Sequence, residues 1–334
     1  MQTRAYQGFK GHRHLLVAGL LYLPLVSPPT LAGTERLAFS SGPDGGTFEH
    51  FARGISSFLS DSNPRLEVLP FISAGSIENL RRINGRDAEF GIVYATDLYL
   101  GSQGRLTNDT RIYRNIQALS NLYPAPAQLI VPRDSDIHQL EDLKGKRLAI
   151  GGIGSGSAAF AERYFQSLGL WQELRPRYLG YSHGAEALLK GEVDALFILA
   201  GLPTPAVTDL AKNLPVRLLQ TYPQDDQQRF FSDHPYYTET LLPAGSYPGI
   251  DQPVPSFQDM AILVAGVHVD QELVLETLNL LYLKGGTEVL KNLTPAAQAT
   301  QLEKGLTGLL TPLHPGARHF WQFQGYPLEA EPEP

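Results

Sequence analysis

A loop rich in glycine and serine holds the residues best suited to contact an anion. Residues 151–157 read GGIGSGS, follow an apolar strand predicted at Arg147–Ile150, and precede a predicted amphipathic helix. Small residues let a ligand approach the main chain, and the first amides of a helix lack partners within it. Ser155, Gly156 and Ser157 are therefore candidate ligand-binding residues. A turn that only joins a strand to a helix uses the same residue types, so that interpretation stays open.

Two nucleotide-binding patterns are excluded for this loop. Gly154, Gly156 and Ala159 fit G-x-G-x-x-A, but the next predicted strand, Arg177–Tyr181, ends without the acidic residue that would bind a ribose. The loop also lacks the G-x-x-x-x-G-K-[ST] pattern of a nucleotide P-loop.

The same strand, loop and helix arrangement occurs twice nearer the N-terminus. A strand predicted at Arg36–Ser40 and another at Leu66–Ile72 each run into a small-residue loop, and each loop precedes an amphipathic helix. The two loops contribute the candidate residues Gly45, Gly46, Thr47, Gly75 and Ser76. Helix starts from several loops could then present amides to one shared anion.

Polar residues also follow two other predicted strands. Tyr94, Thr96 and Asp97 come at the end of a buried strand predicted at 88–94, and Thr204 lies in the turn after a strand at 195–199. Side chains at the carboxyl ends of parallel strands point into the crevice where α/β proteins bind ligands. For Tyr94, Thr96 and Asp97, helix capping and core packing are equally compatible with the local sequence.

The order of these elements predicts an α/β protein with two lobes. Residues 116–131 are extended, are broken by Pro124 and Pro126, and suit a connection that leaves one domain and enters another. A strand predicted at 260–267 would cross back. Lobe I would comprise 33–123 plus 222–328 and lobe II 124–221, with an irregular segment at 222–256 and a disordered tail at 329–334.

Composition limits the classes of function. The chain has 334 residues, 43% of them hydrophobic and 18% charged, and a net charge of -7 without a basic run beyond the N-terminus, which argues against nucleic acid as a partner. Without cysteine there can be no disulfide, thiolate nucleophile or lipid-modified cysteine. No H-E-x-x-H occurs, and His183, the histidine nearest a candidate loop, is best explained as a polar loop residue. We expect no metal, cofactor or catalytic residue.

Residues 1–32 have the composition of a secretory signal. Arg4, Lys10 and Arg13 form a basic head, Leu15–Val26 is apolar, and Thr30–Ala32 supplies small residues for cleavage. The alternative is an uncleaved membrane anchor, for which the apolar run is short. Export without a cysteine for lipid attachment predicts a free periplasmic protein.

The ordered motifs resemble the TAXI family of solute-binding proteins, periplasmic receptors of one class of TRAP transporters. The resemblance runs from about Leu37 to about Phe320 and rests on short motifs in matching order. They are GGT at 45–47, AGSIENL at 74–80, DLKGKR at 142–147, GSGS at 154–157, GLPTPA at 201–206, the 243–249 segment and PLHPGA at 312–317.

The resemblance implies a type II periplasmic-binding-protein fold, in which two α/β lobes are joined by crossing hinge strands. It also implies a monomeric receptor for glutamate, glutamine, 2-oxoglutarate or a related carboxylate, with TRAP membrane subunits as partners. Pro43, Asp44, Ala74 and Tyr94 depart from the family pattern near the expected pocket, and Asp44 and Tyr94 are expected to affect which ligand fits. A ligand-binding partner of a signalling receptor is the alternative, and a hydrolytic enzyme is the weaker one.

Overall fold

The computed structural model describes residues 34–222 and 228–328, together with residues 1–3, 5 and 8. The predicted signal segment at 1–32, apart from those few positions, and the predicted tail at 329–334 lie outside the described residues. Within the described parts of the chain, no helix is both long and apolar enough to cross a membrane.

Strands and helices alternate along most of the chain. The first part contains β1 (Glu35–Ser40), α1 (Thr47–Ser62), β2 (Leu66–Phe71), α2 (Ser76–Asn84), β3 (Phe90–Tyr94), α3 (Ala95–Ser102) and β4 (Ile116–Pro132). The second contains β5 (Arg147–Ala149), α4 (Gly156–Ser167), β6 (Arg175–Arg177), α5 (Tyr181–Leu189), β7 (Ala195–Leu199), α6 (Pro205–Asn213) and β8 (Val216–Leu219). The third contains α7 (Gln228–Asp233), β9 (Thr238–Leu242), β10 (Val254–Gly266), α8 (Gln271–Leu283), α9 (Gly286–Leu293) and α10 (Pro315–Phe323).

One sheet connects two groups of parallel strands. Its order is β2-β1-β3-β10-β4-β7-β5-β6, with β8 also paired to β4 and β9 to β10. Strand β1 is parallel to β2 and β3, and β5 is parallel to β6 and β7. We call β1–β3 the first strand group and β5–β7 the second. The long antiparallel strands β4 and β10 lie between the groups and join them.

Strand β4 is continuous through both of its internal prolines. Pro124 and Pro126 lie opposite Met260 and Gln258 of β10, and pairing with β7 begins at the next residue, Ala127. A proline has no N–H to donate to a strand ladder, so it is tolerated where pairing changes partner. The extended conformation expected for residues 116–131 is confirmed, but the predicted breaks at the prolines are wrong.

Two other predictions are corrected by the structure. The strand predicted at Arg177–Tyr181 is a strand at Arg175–Arg177, and Tyr181 instead begins α5. The segment predicted to be irregular, 222–256, contains α7 and β9 within its described residues, and β9 pairs with β10 over five residues. The pattern of β9 is mostly exposed, so no apolar alternation marks it.

Core packing fixes the positions of helices α1 and α4. In α1, the buried residues Phe51, Ile55 and Leu59 follow the helical spacing expected from the sequence. Helix α4 buries Phe160 fully, and its ring stacks on Phe197 of β7 with centroids 5.7 Å apart. Both helices are therefore held against the sheet by aromatic packing, which sets where their N-termini point.

Candidate functional site

A small cavity lies where the first turns of α1, α2 and α4 face one another. Its wall comes from both strand groups, because the loops after β1 and β2 meet the loop after β5. The predicted residues that line it are Gly46, Thr47, Gly75, Ser76, Tyr94, Ser155, Gly156 and Ser157. The cavity thus lies beyond the carboxyl ends of parallel strands, where α/β sheets bind ligands.

The start of α1 is tied directly to the second strand group. Thr47 is buried, and its hydroxyl donates a hydrogen bond to the carbonyl of Gly201, 3.2 Å away. A main-chain bond lies beside it, from the N–H of Ala206 to the carbonyl of Gly45 at 3.2 Å. Residues far apart in sequence therefore form one side of the cavity.

The start of α2 crosses to the loop after β5 in the same way. Gly75 caps this helix with φ at 125°, a conformation that side chains with a Cβ rarely adopt. The N–H of Glu78 donates to the carbonyl of Gly154 at 3.0 Å, and the Ser76 hydroxyl accepts the N–H of Tyr94 at 2.9 Å. This turn is thus fixed by bonds to both strand groups.

The start of α4 carries two serines with different partners. Ser155 is the N-cap, and its hydroxyl accepts the N–H of Ala158 at 3.0 Å. The Ser157 hydroxyl accepts the N–H of Leu199 at 2.8 Å and lies 2.7 Å from the Tyr181 hydroxyl. Ser155 therefore stabilises the helix, whereas Ser157 anchors it to the end of β7.

Two tyrosine hydroxyls meet at one carbonyl group in the cavity wall. Tyr94 and Tyr181 both donate to the carbonyl oxygen of Leu199, Tyr181 at 2.8 Å. Burial raises the pKa of both tyrosines, so both remain neutral hydroxyl donors at ordinary pH.

The cavity is small, and its donors are uncharged. It holds about 10 Å³, roughly the space of one water molecule. No charged side chain of the described residues lines it. A ligand larger than water would have to part the walls, and the N–H groups of the first helical turns and the hydroxyls would then receive it.

A buried charge cluster lies behind this wall. Asp97 accepts a hydrogen bond from Arg163, with Nη2 3.3 Å from Oδ1, and Arg163 also donates to the Tyr237 hydroxyl at 2.8 Å. Burial raises the pKa of Asp97, although Arg163 opposes that shift. Burial, followed by repulsion from Asp97, raises the pKa of the nearby Asp259 to about 7. The two buried carboxyl groups thus repel each other, and the Arg163 guanidinium bonds Asp97.

Four predicted site residues lie outside the cavity wall. Gly45 packs against the first turns of α5 and α6, and Asp97 belongs to the charge cluster. Thr96 is buried and directs its N–H to Asp259, 3.4 Å away. Thr204 is the buried N-cap of α6, and its hydroxyl donates to the carbonyl of Gly201 at 3.0 Å. These residues support the wall and do not form its surface.

The wall also contains residues that were not predicted to bind ligand. Pro43 and Ala74 were named only as departures from the family pattern, and the others are Phe48, Tyr181 and Ala200. Tyr181 was missed because it was assigned to the end of a strand. Its place directly after Gly180 was a usable signal, since Gly180 is the N-cap of α5 and resembles the glycines before α1 and α2.

We expect Gly156→Ala to disturb the site strongly. A methyl group there would lie 2.4 Å from Cδ2 of Tyr94 and 2.5 Å from Oδ2 of Asp97, and both side chains are buried. Overpacking of this kind costs about 1–3 kcal/mol of unfolding free energy, which urea denaturation measures.

The matched control for that variant is Gly152→Ala. Its added methyl group would approach only Ala74, at 3.8 Å, so we expect a near-neutral effect. Equal stabilities for the two variants would show that the contact around Gly156 is not tight.

Comparison with known proteins finds one matching family model and several solved structures of similar fold. The model of a family described as NMT1-like matches residues 39–325. A solved structure described as a periplasmic transporter shares 13% identity, covering 86% of this chain and 92% of the other, with a TM-score of 0.52. The periplasmic binding protein BugD shares 13% identity over 87% and 97%, with a TM-score of 0.51.

A third structure comes from work on glutathione import through GshT and the cystine ABC importer TcyBC of Streptococcus mutans. It shares 12% identity over 80% of this chain and 97% of the other, with a TM-score of 0.50. At these identities the likeness concerns the fold alone. The expected α/β periplasmic-binding-protein fold is confirmed.

Proposed function

The chain belongs to the NMT1-like family, and on that premise we propose that it is an extracytoplasmic solute-binding receptor that captures a small carboxylate for a membrane transporter. The observation that carries the proposal is the convergence of the α1, α2 and α4 first turns on one cavity whose wall has no charged side chain among the described residues. Helix N-termini stabilise an anion through free N–H groups and the helix dipole. A carboxylate can therefore be bound there without an arginine.

The loops on the two sides of the cavity support binding by closure. They belong to different strand groups, and in the sheet of the described residues β4 and β10 lie between these groups and join them. Rotation about such connections parts and closes the walls, and a ligand that contacts both walls favours the closed arrangement. Residues 180–184, GYSHG, have the spacing G-x-S-x-G, but no hydrogen bond joins Ser182 to a histidine among the described residues, which supports a receptor over a serine hydrolase.

We assign the partner to the TRAP class and residues 1–32 to an export signal. The ordered motifs of the TAXI family support the transporter class, and the basic, apolar and small-residue regions support export. An adjacent gene for a many-span permease would favour TRAP, whereas an adjacent ATPase gene would favour an ABC importer and a sensor kinase gene a signalling role.

Calorimetry on refolded, ligand-free protein tests the receptor assignment. We expect binding heat with at least one of lactate, pyruvate, glutamate, glutamine and 2-oxoglutarate, and none with lactamide, which lacks the carboxylate. At a ligand concentration 100 times Kd, the bound protein should gain about 2.7 kcal/mol of unfolding free energy. Equal binding of lactamide and lactate, or no heat from any carboxylate, would refute carboxylate capture.

A further inference from the structure

Tyr94 crosses the candidate cavity from one strand group to the other. The residue ends β3, its ring centroid lies 4.9 Å from that of Phe48, and its hydroxyl donates to the carbonyl of Leu199 at the end of β7. Only 4% of the residue is exposed. A phenol ring therefore occupies space that would otherwise lie between the walls.

The ring is held on three sides. Phe48 packs against one side, and Gly156 approaches so closely that a methyl group there would lie 2.4 Å from Cδ2 of Tyr94. At the hydroxyl end, Tyr94 and Tyr181 together use both lone pairs of the Leu199 carbonyl oxygen. Moving the ring would leave the buried Tyr94 hydroxyl without its hydrogen-bond acceptor, which is unfavourable.

The remaining space is correspondingly small, at about 10 Å³. Parting the walls adds room beside the N–H groups of the helix starts. The volume of the ring becomes available only if the ring itself leaves. A long ligand must displace Tyr94, whereas a short one need not.

We propose that Tyr94 is a specificity-determining residue that restricts the receptor to short monocarboxylates, such as lactate or pyruvate, and rejects five-carbon dicarboxylates. The inference rests on the proposed function and narrows its ligand class. The carboxylate of the short acid binds the helix N–H groups, and the ring limits the chain beyond it.

Calorimetric titration of wild type, Tyr94→Ala and Tyr94→Phe with pyruvate and 2-oxoglutarate tests this. We expect wild type to bind pyruvate at least about tenfold more tightly than 2-oxoglutarate, in the range by which pocket shape discriminates ligands. Tyr94→Ala should shift that ratio toward 2-oxoglutarate by about tenfold or more. Tyr94→Phe keeps the ring and should keep the preference. Tyr178→Ala, at a position that is 44% exposed, is the matched control and should leave the ratio unchanged.

The outcomes separate this inference from the proposed function. If wild type binds 2-oxoglutarate as tightly as pyruvate, or Tyr94→Ala keeps the wild-type ratio, the role of Tyr94 is refuted and carboxylate capture stands. If no carboxylate binds wild type, the role of Tyr94 and the proposal of carboxylate capture are both refuted. Circular dichroism checks whether Tyr94→Ala folds. If it does not fold, the inference is tested by the affinity ratio of wild type and by the ratio of Tyr94→Phe.

Discussion

Replacing Arg163 with methionine is expected to lower the free energy of unfolding by about 3–5 kcal/mol, the usual loss when one partner of a buried ion pair is removed. Arg163 and Asp97 have side chains only 10% and 1% exposed. Burial alone would lower the pKa of Arg163, but Tyr237 and Asp97 raise it, so the guanidinium is charged. Without it, the buried Asp97 carboxylate would lose its ion-pair partner while Asp259 still repels it.

A double-mutant cycle measured by urea denaturation checks this expectation. Asp97→Asn in the Arg163→Met background should recover part of the loss, because it removes one uncompensated carboxylate. Arg147→Met is the control, since the Arg147–Asp194 pair is 35% and 29% exposed and should contribute at most about 1 kcal/mol. Equal losses for Arg163→Met and Arg147→Met would contradict a buried charge cluster.

Stability is expected to fall as the pH rises from about 4 to about 7, and Asp259→Asn should remove most of that fall. The pKa of Asp259 in the folded protein is about 7, above its ordinary value of 3.8. Within that interval the folded state holds a proton that the unfolded state has released, so the unfolding free energy decreases with pH and levels off above 7. The shift corresponds to about 4 kcal/mol.

Urea denaturation of wild type and Asp259→Asn at pH 5 and pH 8 measures the effect. Asp109→Asn supplies a control that should keep the wild-type pH dependence between pH 5 and pH 8. Hydrogen bonds, first from Arg111, hold the pKa of Asp109 below its ordinary value, so its contribution should be present above about pH 4 and lost in acid. If Asp259→Asn keeps the wild-type pH dependence, Asp259 is not the group that takes up the proton.

The sequence was most informative where apolar spacing and small-residue loops coincide. The helix after Gly46 was predicted from the spacing of Phe51, Ile55 and Leu59, and all three are buried. Its loop and those before α2 and α4 were predicted to converge, and each contributes residues to one cavity. Local chemistry suffices here because a helix start carries its donors in its own main chain.

Sequence reasoning failed where the position of a strand or a side chain depends on contacts with residues far away in the sequence. Strand β9 shows no apolar alternation and is defined by pairing with β10. Asp259 is an acidic residue within a mostly apolar strand, and nothing nearby in sequence indicates that Asp97 lies close enough to raise its pKa. The crossing of the cavity by Tyr94 likewise depends on where β7 places the carbonyl of Leu199.

Two of the hydrogen bonds between segments that follow the two strand groups, from Glu78 to Gly154 and from Ala206 to Gly45, use only main-chain atoms. Their strength does not depend on which side chain each position carries, provided that the donor keeps its N–H. Side-chain substitutions in the wall can therefore change which ligand binds, while these main-chain hydrogen bonds between the two sides stay the same. Ligand choice and closure can evolve separately in this chain, which makes it a suitable scaffold for redesigned recognition.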